Sequence, residues 1–197
     1  MPADPRSLVE GASRGDDASV AALLERYLPG VRAFIRLRAG PVLRARESAS
    51  DLAQSVCREV LTHLERYQYR GEAEFRHWLF TTALRKIANR RQHWATQKRA
   101  TDRERHGDAD DERSLSQCYA AIATPSRHAA SREELARVEA AFDHLSEDHR
   151  EVILLARVVG LSHREIAARL ERSEGAVRVL LHRALLDLSE RLADPLP

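Results

Sequence analysis

The sequence predicts an all-α protein built as two small helical domains joined by a flexible linker, and three observations carry that prediction. Apolar residues recur at helical spacing through most of the chain. Charged residues make up 31% of the 197 positions and aromatics 5%, with only 8 Gly and 7 Pro, a composition suited to a helical protein in water. Between residues 99 and 130 the periodicity lapses, around the acidic run Gly107-Asp108-Ala109-Asp110-Asp111-Glu112 and the breaker Thr124-Pro125-Ser126. The expected domains are therefore 1–98 and 131–197, with 99–130 as the linker.

Taken in order, the first fifteen or so residues contain Pro, Gly and Ser and are expected to fray. A helix should begin near Ser19, because Val20, Leu23, Leu24, Tyr27, Leu28, Val31, Phe34 and Ile35 follow a 3.6-residue period. Pro29 should kink or interrupt it, and Gly40-Pro41 should end it. A second helix opens at Ser48, with Asp51 as the acidic partner of a cap, and continues through Leu52, Val56, Val60, Leu61 and Leu64 to about Tyr67. Asp51, Gln54, Ser55, Arg58 and Glu59 lie on its polar face. A third helix is expected from about Glu72 to Ile87, continuing toward Trp94. It interleaves rings and cations: Phe75, Arg76, His77, Trp78 and Phe80, then Arg85, Lys86, Arg90, Arg91, His93 and Trp94. Phe75, Trp78, Leu79 and Ala83 suit a core, while the remaining rings and the cations suit unpaired bases and phosphates. Inside the linker, Leu115, Tyr119 and Ile122 allow a short helix over 114–123.

The second domain opens on the capping box Ser131-Arg132-Glu133-Glu134, followed by Leu135, Val138, Ala141, Phe142 and Leu145. Ser146 starts the next helix, with Val152, Ile153, Leu155 and Ala156, which ends at Gly160. Then comes a helix-turn-helix pattern. Ser162-His163-Arg164-Glu165 is a second capping box, Ile166 and Leu170 share one face, and Glu171-Arg172-Ser173 forms the turn. In the helix that Ser173 caps, Val177, Leu181, Ala184 and Leu188 recur as a buried stripe. Gly175, Arg178, Val179, His182, Arg183 and Leu186 then face outward, a face suited to a DNA major groove.

Charge is unevenly divided. Residues 1–98 carry 17 Lys+Arg against 11 Asp+Glu, whereas residues 99–197 carry 15 against 19. The stretch 84–105 alone holds eight cations and two acids, but Gly160–Arg191 holds six Arg against five acids. A groove reader so nearly neutral binds DNA weakly alone, because phosphate neutralisation supplies most non-specific affinity. No apolar run is long enough to span a bilayer, and the N-terminus lacks the apolar core of a signal peptide, so the expected location is cytoplasmic with no membrane insertion. Cys57 and Cys118 are isolated, and the nine histidines match no metal-ligand spacing, so no metal or cofactor is expected. The absence of clustered carboxylates, nucleophile–base spacing or a phosphate-binding Gly loop argues against an enzyme.

In this order the motifs resemble a bacterial sigma factor of the sigma-70 type, in the extracytoplasmic-function subfamily. The resemblance rests on Asp51-Leu52-Ala53-Gln54, on Arg70-Gly71-Glu72-Ala73-Glu74-Phe75-Arg76-His77-Trp78-Leu79, and on Leu145 through Val152. It rests also on Gly160-Leu161-Ser162 with Glu165-Ile166-Ala167, and on Gly175-Ala176-Val177-Arg178 followed by Leu181-His182-Arg183-Ala184. It implies a factor that lends promoter recognition and DNA melting to core RNA polymerase. Asp51, Gln54, Ser55 and Arg58 would bind the polymerase. Trp78, Arg85, Lys86, Asn89, Arg90, Arg91 and Trp94 would capture the melted −10 element. Arg164, Arg172, Ser173, Glu174, Arg178, Val179, His182 and Arg183 would contact the −35 element. The partners implied are core polymerase, double- and single-stranded promoter DNA, and an anti-sigma factor in those members that have one. Tethering by the polymerase would offset the weak charge of the groove reader. Two departures stand out: Val179-Leu180 replaces a common Ser-Arg pair, and Arg85 stands where an Asn is usual. The alternative is a stand-alone helix-turn-helix regulator with an N-terminal sensing or dimerisation domain.

Overall fold

A computed structural model of the chain describes residues 4–96, 109–122 and 132–193. The fold is all-α, and the chain divides into two compact units, Met1–Arg105 and His106–Pro197. Among the described residues no helix is long and apolar enough to cross a membrane.

The first unit opens earlier than expected. α1 (Pro5–Ser13) is a helix, not a frayed end, because Pro5 occupies its first turn and Leu8, Val9 and Ala12 bury against α2 (Asp17–Arg44). Gly11 makes that approach possible, since a Cβ there would collide with the Ser19 side chain. Asp16 caps α2 by accepting the Ser19 backbone N–H at 2.9 Å. Pro29 does not interrupt α2. The break falls instead at Gly40, whose φ of 72° and ψ of 170° are non-helical. Packing of Tyr27, Val31, Phe34 and Ile35 holds the helix in line across Pro29, while Gly40, with no Cβ and a proline next, turns readily. Pro41–Arg44 forms one further turn beyond it.

α3 (Ala49–His63) is capped by Ser48, which accepts the Asp51 N–H at 3.2 Å, and buries Leu52, Ala53, Val56, Cys57 and Val60. A 3-10 turn, Leu64–Arg66, ends it before Tyr67. α4 (Glu72–Thr96) is the longer of the two lengths allowed by its sequence. Its core side joins α2 through paired rings, Tyr27 with Phe75 at 5.2 Å and Phe34 with Phe80 at 5.0 Å between centroids.

In the second unit, the stretch read as linker contains a helix, α5 (Ala109–Ala120). It takes in the acids Asp110, Asp111 and Glu112, and it buries Leu115 and Tyr119, with Ile122 just beyond, against α6 (Arg132–Asp143). Tyr119 donates to buried Glu139 at 2.9 Å, a bond across 20 residues that local acidity could not reveal. The cap expected at Ser131 lies outside the described residues. α7 (Glu147–Ile153), capped by Ser146, runs into a π-helical turn, Leu154–Val158. Gly160, at φ 74°, reverses the chain into α8 (His163–Leu170), and α9 (Glu174–Ala193) follows, about one and a half turns longer than a helix stopping at Leu188. His149 of α7 meets Asp187 at 2.9 Å and so ties α7 to α9, while Arg191, one turn further along α9, holds the same carboxylate at 2.7 Å.

Candidate nucleic-acid interface

In the helix-turn-helix, each expected local device is present. Ser162 accepts the Glu165 N–H at 3.3 Å, and the Glu165 carboxylate accepts the Ser162 N–H at 2.7 Å, closing a reciprocal box. Glu171 ends α8 in the left-handed conformation, φ 53°. Arg172 reaches back to Asp148 at 2.6 Å, tying the turn to α7. Ser173 accepts the Ala176 N–H at 3.2 Å and so caps α9. Val177, Leu181, Ala184 and Leu188 are all buried. Arg178, Val179, His182 and Arg183 are exposed on the other side, with Glu174 at the tip and Arg164 open on α8. Two expected DNA contacts thus already have structural work: Arg172 in an ion pair and Ser173 in a cap.

The first unit rearranges the sequence picture more. Asp51, Gln54 and Arg58 are exposed along one line of α3. Ser55 departs from them, because it accepts Lys86 Nζ from α4 at 2.9 Å. Lys86 also pairs with Glu59 at 2.8 Å, and Arg85 donates to Thr82 at 3.2 Å. Arg91 donates to the Arg38 and Ala39 carbonyls at 2.7 and 3.1 Å, beside the Gly40 bend. Trp94 donates its indole N–H to Glu47 at 2.8 Å, Arg90 lies 3.6 Å from the same carboxylate, and the Arg46 guanidinium covers the Trp94 ring at 5.7 Å. Asn89 is exposed. The aromatic–basic helix therefore has its cations placed by the fold and is not a loose charged surface. Of the carboxylates that place them, Glu59 was read only as part of the polar face of its helix and Glu47 was not singled out from sequence. Their partners lie 27 to 47 residues away, a separation at which no periodicity operates.

The Lys86 ammonium, hydrogen-bonded to Glu59, holds that carboxyl below its ordinary value. A depressed carboxyl contributes stability above the unfolded carboxyl range and loses it as pH falls through the lowered value. Urea melts across the acid range should show that loss in the native chain and a flatter profile in Glu59→Gln. Identical profiles would deny the pair any part in stability.

A second feature was legible only in part, since Arg70 and Glu74 belong to the motif that carries the resemblance while Arg66, Tyr67 and Gln68 were not singled out. Arg66, Tyr67, Gln68, Arg70 and Glu74 line an open cleft of about 340 Å³ at the start of α4. Tyr67 stacks on Trp78 with centroids 4.5 Å apart and planes 6° from parallel. Its buried hydroxyl has no hydrogen-bond partner among the described residues. Burial raises the Tyr67 phenol above its usual pKa, so it stays a neutral donor. The Tyr67 and Trp78 rings with Arg66 and Arg70 beside them give the cleft an aromatic and cationic lining, the kind of surface suited to unpaired bases and phosphates.

A helix-turn-helix with exposed cations in one unit and an aromatic–basic helix beside an open cleft in the other are features suited to a nucleic-acid-binding protein. The family comparison is specific: the Sigma-70 region 2 model matches residues 23–99, and the Sigma-70, region 4 model matches residues 135–188. The chain belongs to the sigma-70 family, in its extracytoplasmic-function group, and directs promoter recognition for transcription initiation. It is 34% identical over 186 residues to the ECF RNA polymerase sigma factor SigD of Mycobacterium tuberculosis, covering 94% of this chain and 82% of that one. Similarity to ShbA, an ECF sigma factor of Streptomyces griseus, is 31% over 180 residues, covering 91% and 90%. Among solved structures, CnrH in complex with the cytosolic domain of CnrY matches with a TM-score of 0.59 and 25% identity, over 96% of this chain and 98% of that one. The region 2 match disfavours the stand-alone regulator, whose N-terminal domain would sense a ligand or dimerise.

Proposed function

We propose that the two units divide promoter recognition between them and that the chain works only when core RNA polymerase holds both. α9 enters the major groove of the −35 element through Arg178, Val179, His182 and Arg183, with Arg164 and Glu174 at the groove edge. The cleft around Tyr67 receives an unstacked base of the −10 element, and Arg85, Asn89, Arg90 and Trp94 follow the opened strand. Asp51, Gln54 and Arg58 form the polymerase-facing line of α3. The chain contributes binding and strand opening, leaves the chemistry to the polymerase, and acts in the cytoplasm where the polymerase is. The complex formed by CnrH supports a further protein partner of the anti-sigma kind.

One observation carries this reading: α9 buries four apolar residues and leaves its cations exposed on the opposite side. A bidentate Arg–guanine contact is worth about 1–3 kcal/mol of discrimination. Arg178→Ala should therefore weaken upstream recognition by that amount in run-off transcription with reconstituted polymerase. An unchanged promoter preference would remove Arg178 from the interface. If the purified chain does not co-elute with core polymerase, the shared-holding model is wrong.

A further inference from the structure

Among the described residues three large apolar side chains are exposed: Val42, Val179 and Leu186. Val179 alone of these lies in the first two turns of α9, the end of the helix that enters a groove. It is 51% exposed and flanked by exposed Arg178, His182 and Arg183. Folding does not explain it. The packing stripe of α9 is complete with Val177, Leu181, Ala184 and Leu188, and a β-branched residue at an exposed helix position is disfavoured relative to alanine or lysine. What valine does offer there is a stiff, branched apolar surface, held mostly in one χ1 rotamer within a helix, so little freedom is lost on contact. In a major groove only one base edge is apolar, the C5-methyl of thymine.

We infer that Val179 is a specificity-determining residue that selects thymine in the upstream promoter element by packing on its methyl group. The inference rests on the proposed placement of α9 in the groove. It assigns the adjacent positions different tasks: Arg178 reads a hydrogen-bonding edge, and Val179 reads shape. The methyl carries no hydrogen bond, so thymine and uracil differ at this position only by the apolar contact.

The test uses holoenzyme, reconstituted from core polymerase and the full chain, to select from a promoter pool randomised across the upstream element. One pool is made with thymidine and one with deoxyuridine throughout. The native chain should enrich thymine about fourfold at one position, the effect of burying a single methyl-sized group. That enrichment should vanish in the deoxyuridine pool and also with Val179→Ser, while guanine enrichment dependent on Arg178 persists. Val179→Ser changes an exposed position, so circular dichroism melts of the variant should match the native chain. Thymine enrichment that survives Val179→Ser, or uracil enriched equally, would overturn the inference while leaving the groove placement intact. Loss of every upstream preference in the native holoenzyme would overturn the placement and the inference together.

Discussion

Phe75→Ala should lower the stability of the first unit by about 3–5 kcal/mol, the usual cost of removing a buried phenylalanine. Phe75 is 2% exposed and is the ring on which three others converge: Tyr27 at 5.2 Å, Tyr67 at 5.8 Å and Trp78 at 6.1 Å. Its loss leaves a cavity where α2, α4 and the Tyr67 turn meet. Both tryptophans, Trp78 and Trp94, belong to this unit, so urea unfolding followed by tryptophan emission reads the damage directly. The Tyr67–Trp78 stack should loosen as well, and on the proposed reading single-strand binding should weaken at denaturant concentrations that leave the unit folded. A midpoint shift worth less than about 1 kcal/mol would mean the neighbouring rings collapse into the space.

Ile166→Ala should cost the second unit about 2–5 kcal/mol. Ile166 is fully buried on α8, the helix that packs against α9 and sets its angle. On the proposed reading upstream recognition should fail in this variant although no residue of the exposed face of α9 has changed. Arg178→Ala makes the useful contrast, since an exposed cation can be lost with stability nearly unaltered. Circular dichroism melts run beside run-off transcription would separate the two. Equal melting temperatures for Ile166→Ala and the native chain would show that α8 does not brace α9.

Legibility in the sequence followed the range of the interactions concerned. The helix-turn-helix could be read almost entirely, because its cap at Ser162, its turn at Glu171–Ser173 and its stripe from Val177 to Leu188 depend on residues three to eleven positions apart. The ring-and-cation alternation of α4 was legible for the same reason. The break at Gly40-Pro41 was legible, but the interruption expected at Pro29 is absent, because distant packing overrides a local penalty there. The short helix expected over 114–123 is present as α5, but the acidic composition of 107–112 concealed its first turn, and its bond from Tyr119 to Glu139 on another helix could not be read locally.

By itself, then, the amino-acid order determined which segments coil, where they are capped and which side of α9 must be buried, since these follow from helical geometry and adjacent side chains. Tertiary structure alone decided which cations are held by carboxylates, where the Tyr67 cleft opens and that Ser55 turns away from its helix neighbours to meet Lys86. Those outcomes depend on contacts between residues far apart in the chain, and only the folded backbone brings such residues within hydrogen-bonding distance.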